Sequence, residues 1–428
     1  MLDLTKLARQ MQGISQHLNQ EANATRQRLE LAQRLLQEAS DRQSDLLDLQ
    51  TTWRDRLGFT AAEPVEPLET RVDLTAAPAL HTVFATDGSQ IAPSHHEIAY
   101  CYLINVGRVV LHYGQNRHPL LDSLPEVFYR PEDLYASRQW GIRTEEWMSY
   151  RRTVSEHVVL AELGETIRAE GIGQKARGRG QEAEGKGQGA GGRGQKIENG
   201  RQLELGDFPT LAMVDGSLIH WFLEPLPGEA RDRILIPILE SWERLQQAQI
   251  PLVGYLSAAR SGEALNFLRL QTCPYPSPDC VTHCFGQTDQ APCQVFAPLR
   301  DTALWSMVLE PGQRGALWRS SAKILEQYGE QTIYFCYVHV GSEIARIEFP
   351  AWVAEDEHLL NTALSLTLTQ VQKGYGYPVA LAEAHNHAVV RGGDRARFFA
   401  LLEREMIRSG LKNIGTSYKE ARKRGSIA

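Results

Sequence analysis

No stretch of this sequence approaches the roughly 20 consecutive apolar residues that a membrane-spanning helix needs. Its first residues, Met1-Leu2-Asp3-Leu4-Thr5-Lys6, lack the charged and apolar regions of a secretory signal. A cytoplasmic chain without a membrane anchor is the expectation. Cysteine is scarce: six in 428 residues do not make a disulfide scaffold. A surplus of basic charge is also missing. The net charge is −7, so there is no global signature of a nucleic-acid binder. That excludes little, because an enzyme acting on DNA needs a basic channel, not a basic average, and an acidic metal cluster adds negative charge. Hydrophobic residues at 42% and charged residues at 23% are enough for a sizeable core in one large or two to three ordinary domains.

Two short segments read almost alike: Val83-Phe84-Ala85-Thr86-Asp87-Gly88-Ser89 and Thr210-Leu211-Ala212-Met213-Val214-Asp215-Gly216-Ser217-Leu218. Each is an apolar run of strand character that ends in Asp-Gly-Ser. The pattern predicts an aspartate at a strand end, with a glycine that lets the backbone turn sharply. Two such carboxylates on neighbouring strands can share divalent cations, and the usual work of such a site is cleavage of a phosphodiester.

Around these segments the sequence predicts an N-terminal helical arm over residues 1–60, with Leu4, Leu7, Met11, Ile14 and Leu18 spaced by three and four. A dimerisation arm and a helix pair packed on the main domain both fit. Pro64-Val65-Glu66-Pro67 and Ala76-Ala77-Pro78 mark a linker. The main domain is expected over residues 80–410. Strands at 81–87, 97–106 and 108–113, turning at Gly107-Arg108, would form an antiparallel meander. A helix from about 145 to 170 follows. The Gly-rich stretch 171–202 has almost nothing apolar and is expected to be a disordered insertion. Strands are then expected at 209–215, 250–256, 331–340, 343–349 and 378–381. Helices are expected near 228–248, 261–270, 301–309, 354–373, 384–390 and 394–409. A Cys-rich loop covers 271–297, and a basic tail covers 411–428. Three antiparallel strands, helix, strand, helix, strand, helix is the element order of an α/β, ribonuclease H-like mixed sheet flanked by helices.

In that topology Asp87 and Asp215 meet at one sheet edge, and a third ligand should come from the helix between them. Glu156 shares a stripe with Val159, Leu160, Leu163 and Ile167, the inward face. A carboxylate there is costly unless it is paired or binds metal, so Glu156 is the candidate and Glu162 the reserve. A plain alternative is that Glu156 marks the helix start, favoured by the macrodipole. The fourth candidate is His385, where a strand is expected to run into a helix in Tyr377-Pro378-Val379-Ala380-Leu381-Ala382-Glu383-Ala384-His385-Asn386-His387. A neutral imidazole can ligate Mn²⁺ or orient a water; Glu383 and His387 are weaker alternatives.

With these segments in order, the chain resembles the NurA nucleases. The matching pieces are Asp87-Gly88-Ser89, the helix of Arg152 and Glu156, Val214-Asp215-Gly216-Ser217-Leu218, Ala345-Arg346-Ile347-Glu348-Phe349-Pro350, and Tyr377-Pro378 with Ala384-His385. The resemblance implies a ribonuclease H-like core and a Mn²⁺-dependent 5′-to-3′ exonuclease with single-strand endonuclease activity. It also implies a homodimer and a HerA-type hexameric ATPase as partner in processing DNA ends. Asp87, Glu156, Asp215 and His385 would take the metal-site and catalytic roles, with Mn²⁺ or Mg²⁺ as cofactor. Arg346 would lie near the site, touching phosphate or propping up its strand. A catalytically silent adaptor on a translocase and a ribonuclease H-like enzyme acting on RNA are the competing readings.

Two features depart from the family pattern. One is the Gly-rich insertion; the other is the group Cys273, Cys280, Cys284 and Cys293. Four thiolates in one loop suit structural Zn²⁺ or an iron–sulfur cluster, although the spacing lacks the paired CxxC knuckles of a zinc ribbon. Buried free cysteines and a pair of disulfides are the plain alternatives, the second disfavoured in a cytoplasmic chain.

Overall fold

The structure, a computed structural model, describes residues 4–93, 99–184, 208–285 and 290–410. In chain order its main elements are α1 (Leu4–Ser40), α2 (Gln43–Trp53), β1 (His81–Ile91), β2 (Tyr102–Tyr113), β3 (Leu120–Phe128), α3 (Thr144–Glu184), β4 (Thr210–Asp215), α4 (Gly228–Gln247), β5 (Leu252–Leu256), α5 (Glu263–Arg269), β6 (Ile333–His339), β7 (Ile344–Pro350), α6 (Glu357–Lys373), α7 (Val379–Ala388) and α8 (Gly392–Arg408). No described helix is long and apolar enough to cross a membrane. The chain divides into two units: one of Met1–Thr75, Gly216–Ile219 and Gly254–Glu355, the other of Ala76–Asp215, His220–Val253 and Asp356–Ala428.

The second unit is built on a mixed sheet flanked by helices. β1 and β2 pair antiparallel from His81↔Tyr113 to Ile91↔Leu103, and β2 pairs antiparallel with β3 from Tyr102↔Phe128 to Val110↔Leu120. β4 lies parallel to β1, from Thr82↔Thr210 to Thr86↔Val214. Val83, Phe84, Ala85, Leu211, Ala212 and Met213 are fully buried, so both central strands read as continuous apolar runs. The expected meander is present, with different boundaries. Gly107 is no turn; β2 passes straight through it, and the third strand is Leu120–Phe128.

Helix α3 extends past the expected end at 170 to Glu184, so the first part of the Gly-rich insertion continues the helix. The rest of that insertion, residues 185–202, and the basic tail 411–428 lie outside the described residues. The segment expected to be a strand at 378–381 is the first turn of α7, which starts after Pro378.

The first unit has its own core, where Phe267, Trp305, Trp318, Phe335 and Tyr337 pack with Ala32, Leu35, Leu36 and Ala39 of α1. That half of the expected arm is therefore core, while Leu4, Met11, Ile14 and Leu18 stay exposed. The expected linker contributes short strands: Glu63 and Pro64 pair with Arg319 and Trp318, and Val72 and Asp73 pair with Arg314 and Gln313. β6 pairs antiparallel with β7, and β7 with Gly254–Leu256 of β5.

Candidate active site

Asp87 lies within β1, not at its end. Directly opposite stands Gly107 of β2, so both project to the same face. A Cβ on Gly107 would come within 2.5 Å of the Ala388 backbone nitrogen, because α7 lies against the strand there. Gly88, the next residue, projects to the other face. A Cβ on Gly88 would strike the Glu156 carboxylate and reach 2.6 Å from Cγ of Arg152. Two glycines beside Asp87 thus admit a helix on each face of the sheet, α3 on one and α7 on the other.

Hydrogen bonds fix both helices. Thr86 Oγ1 donates to the Glu156 carbonyl at 2.9 Å. Asn105 Nδ2 donates to the Ala388 carbonyl at 2.7 Å, and Ser89 Oγ donates to the same oxygen, capping the end of α7. His385 sits one turn before that end. Its Nδ1 lies 2.8 Å from Asp87 Oδ2. An ionised carboxylate can only accept, so with Asp87 charged the imidazole proton sits on Nδ1 and Nε2 is left as an acceptor. Asp87 Oδ1 takes the Gly88 N–H at 2.8 Å.

Glu156 is twelve residues into α3, which removes the helix-start reading. Its side chain keeps 16% exposure and lies 3.3 Å from Arg152 Nε. Burial pushes its pKa up to about 8; Asp87 and Asp215 add to the rise, while Arg152 and the Gly88 N–H oppose it. Asp215 ends β4 and is likewise raised, first by burial and then by Asp87, with a Tyr377 hydrogen bond and His385 acting the other way. Three carboxylates and one imidazole, from three elements of the sheet edge and its helices plus α7, therefore feel one another. Glu162 is exposed and acts on Arg108 and Arg244 instead. It is His385, not Glu383 or His387, that bonds Asp87.

The donor set is carboxylate oxygens and one nitrogen, with Glu156 raised first by its burial and further by Asp87 and Asp215. Such a set fits Mn²⁺ or Mg²⁺. Among the described residues, no three His, Cys, Asp or Glu side chains already stand at ligand spacing.

Arg346 is used differently from a phosphate-binding residue. Only 2% exposed, it pairs with Glu263 at 2.6 Å and Glu348 at 2.7 Å, and stacks on Phe335 at 3.6 Å. Glu348 in turn accepts from Ser217 Oγ and the Leu218 N–H, both at 2.8 Å. Of the two roles open to Arg346, propping the strand is the one its contacts serve.

Sequence reading missed Tyr377 as the partner of Asp215, and Thr86, Asn105 and Gly107 as the residues that seat the helices. Tyr377 was visible only as part of the Tyr377-Pro378 segment of the resemblance, with no role attached, and Asn105 carries no motif of its own. Gly107 reads as a turn in the sequence, but a glycine inside an apolar run also marks close backbone approach, and that is its role here.

A family model described as the NurA domain matches residues 81–390. No curated protein matches the chain. Among solved structures, the crystal structure of the NurA nuclease from Sulfolobus solfataricus is similar at 10% identity and a TM-score of 0.46, over 89% of this chain and 98% of that one.

Proposed function

The chain belongs to the NurA family, and from that premise we propose that it is a metal-dependent DNA nuclease. Its reaction class is two-metal phosphodiester hydrolysis, at a site of Asp87, Glu156, Asp215 and His385. The observation that carries this reading is the gathering of Glu156, Asp215 and His385 around Asp87, with His385 Nδ1 2.8 Å from its carboxylate and Glu156 pushed up to about 8. An isolated set of this kind is electrostatically unfavourable, and a divalent cation reverses the sign of the interaction. The meander β1–β2–β3, followed by α3 and the parallel β4, supports a ribonuclease H-like core.

A bound Mn²⁺ or Mg²⁺ would supply Lewis acidity and an activated water. The chain's own groups do the rest. His385 and the Gly88 N–H fix the two oxygens of Asp87, so its carboxylate is oriented before substrate arrives. Tyr377 does the same for Asp215. Glu156 would serve as a further oxygen donor to that cation, releasing its proton to solvent. His385, 63% exposed, offers Nε2 to a proton from water or hands one to a leaving oxygen.

The wider reading follows the family. The enzyme acts as a 5′-to-3′ exonuclease and single-strand endonuclease on DNA ends, as a homodimer beside a HerA-type ATPase, in the cytoplasm. The purified chain tests it on single- and double-stranded DNA labelled at either end, with Mn²⁺, Mg²⁺ or EDTA. Cleavage that needs a divalent cation and shortens DNA from its 5′ end is expected. Cleavage that persists in EDTA would overturn the proposal.

A further inference from the structure

We infer that Cys273, Cys280, Cys284 and Cys293 form a second metal centre, a four-thiolate site for Zn²⁺ or an iron–sulfur cluster, within the first unit and independent of the carboxylate site. The four cysteines are scattered over 21 residues of sequence, yet all of them line a single cavity, together with Phe59, Arg269 and Asp279. Cys280 and Cys293 are buried, Cys273 and Cys284 half-buried, and all four are free thiols. The thiols of Cys284 and Cys280 share a hydrogen bond. Burial first, and then the neighbouring sulfurs, push both Cys273 and Cys284 up. Four acidic sulfurs that face one another in this way repel as thiolates unless a cation lies between them.

The surroundings suit a thiolate-bound metal. Arg269 is buried, donates from Nε to Cys293 Sγ at 3.1 Å, and stacks on Phe59 at 4.0 Å. A metal held by four thiolates carries net negative charge, and a guanidinium donor at a ligand sulfur offsets it. The cluster is also anchored. Asp279 caps the one-turn helix Cys280–His283 through the Thr282 N–H at 2.9 Å, and Arg56 holds Asp279 at 2.7 Å.

There is a reason for a crosslink here. Between Gln271 and Arg300 the described chain has no strand and no helix longer than one turn. An irregular loop of that length is unusual in a compact unit, and a metal bound by residues along it converts binding energy into folding energy. The sulfurs do not yet stand at ligand spacing, so closure would come with binding. Zn²⁺ would displace the thiol protons to solvent; a cluster would need sulfide together with both ferrous and ferric iron. Soft thiolates select these metals over the Mn²⁺ or Mg²⁺ of the carboxylate site.

The test is metal and acid-labile sulfide analysis of the full-length chain, prepared without oxygen in reductant. About one zinc per chain without colour is the expected result for a zinc site; about four iron with matching sulfide and visible absorption is the result for a cluster. In either case a Cys280→Ser, Cys284→Ser double variant drops to background, whereas Asp215→Ala keeps the metal. Because a double variant that fails to fold would also lose metal, X-ray absorption on the wild-type protein reads the ligands directly, with an all-sulfur shell at about 2.3 Å for zinc. A wild-type chain that takes up neither Zn²⁺ nor iron and sulfide on reconstitution overturns the inference. So does a metal held by nitrogen and oxygen alone.

Discussion

Asp87 faces Gly107 across the β1–β2 pair, and the side chain that Gly107 lacks is replaced by the backbone of α7. The carboxylate and the helix that brings His385 to it are thus set by one cross-strand register. Gly107→Ala should push α7 away from the sheet. Overpacking of this kind costs about 1–3 kcal/mol, and the shift of His385 should lower cleavage more than the loss of folded protein explains. Parallel melts and rate measurements check this; a variant of full activity would show that α7 need not close on the strand.

His385→Ala removes an exposed ring and should leave the melting temperature nearly unchanged. Loss of a positioned proton carrier typically costs about 10²–10⁴-fold in rate. A fall within that range in the turnover rate, with little change in DNA affinity, is expected. A drop in affinity alone would assign His385 to binding.

Glu156→Gln should separate stability from activity. The folded-state pKa of about 8 lies above the usual 4.5, so the fold favours the neutral carboxyl. Stability from this group is complete below 4.5 and is lost as pH rises towards 8. In EDTA above pH 8 the amide variant should therefore melt at a higher temperature than wild type. Added Mn²⁺ should raise the wild-type melting temperature only, and the variant should not cleave. Equal stabilisation of both proteins by Mn²⁺ would place the cation elsewhere.

The opposite pH window belongs to two buried histidines. His220 is pushed down to about 4 and His157 well below its usual 6.5, both mainly by burial, and Trp242 Nε1 donates to His157 Nδ1 at 3.1 Å. Neutral rings fit the fold, so their contribution is full above about 6.5 and falls as pH drops from there towards 4. The slope is up to about 1.4 kcal/mol per pH unit for each ring. Denaturant midpoints at several pH values should show it, and His220→Phe should flatten the acid side of the curve. An unchanged curve would mean that other groups govern acid unfolding.

Arg346→Ala should be costly in a way a phosphate contact is not. It strands Glu263 and Glu348 without their buried cation, a loss of about 3–5 kcal/mol. The salt dependence of DNA binding should not change, whereas loss of a phosphate contact would lower its slope by about one.

The four candidate residues stand out in the sequence because strand, helix and carboxylate patterns are local. The two Asp-Gly-Ser segments show where that reading stops. In the second, Gly216 has φ of +109° and turns the chain, as a strand-end aspartate requires. In the first, Gly88 stays inside β1 and is small so that Glu156 can approach. Ser89 caps α7, whereas Ser217 binds Glu348. Identical tripeptides thus serve different tertiary contacts, and no local pattern separates them. The same holds for Arg346, whose buried ion pair needs Glu263, far away in sequence. The start of α7 was misread because Pro378 and a β-branched valine resemble a strand entry, although proline also opens helices.

The most direct test of the central claim is cleavage of end-labelled DNA in Mn²⁺ by wild type and by Asp215→Ala, purified alike and matched in melting temperature. The account predicts cation-dependent cleavage by the wild type and none by the variant. Equal cleavage by both would contradict it, because the carboxylates gathered around Asp87 would then not be the nuclease site.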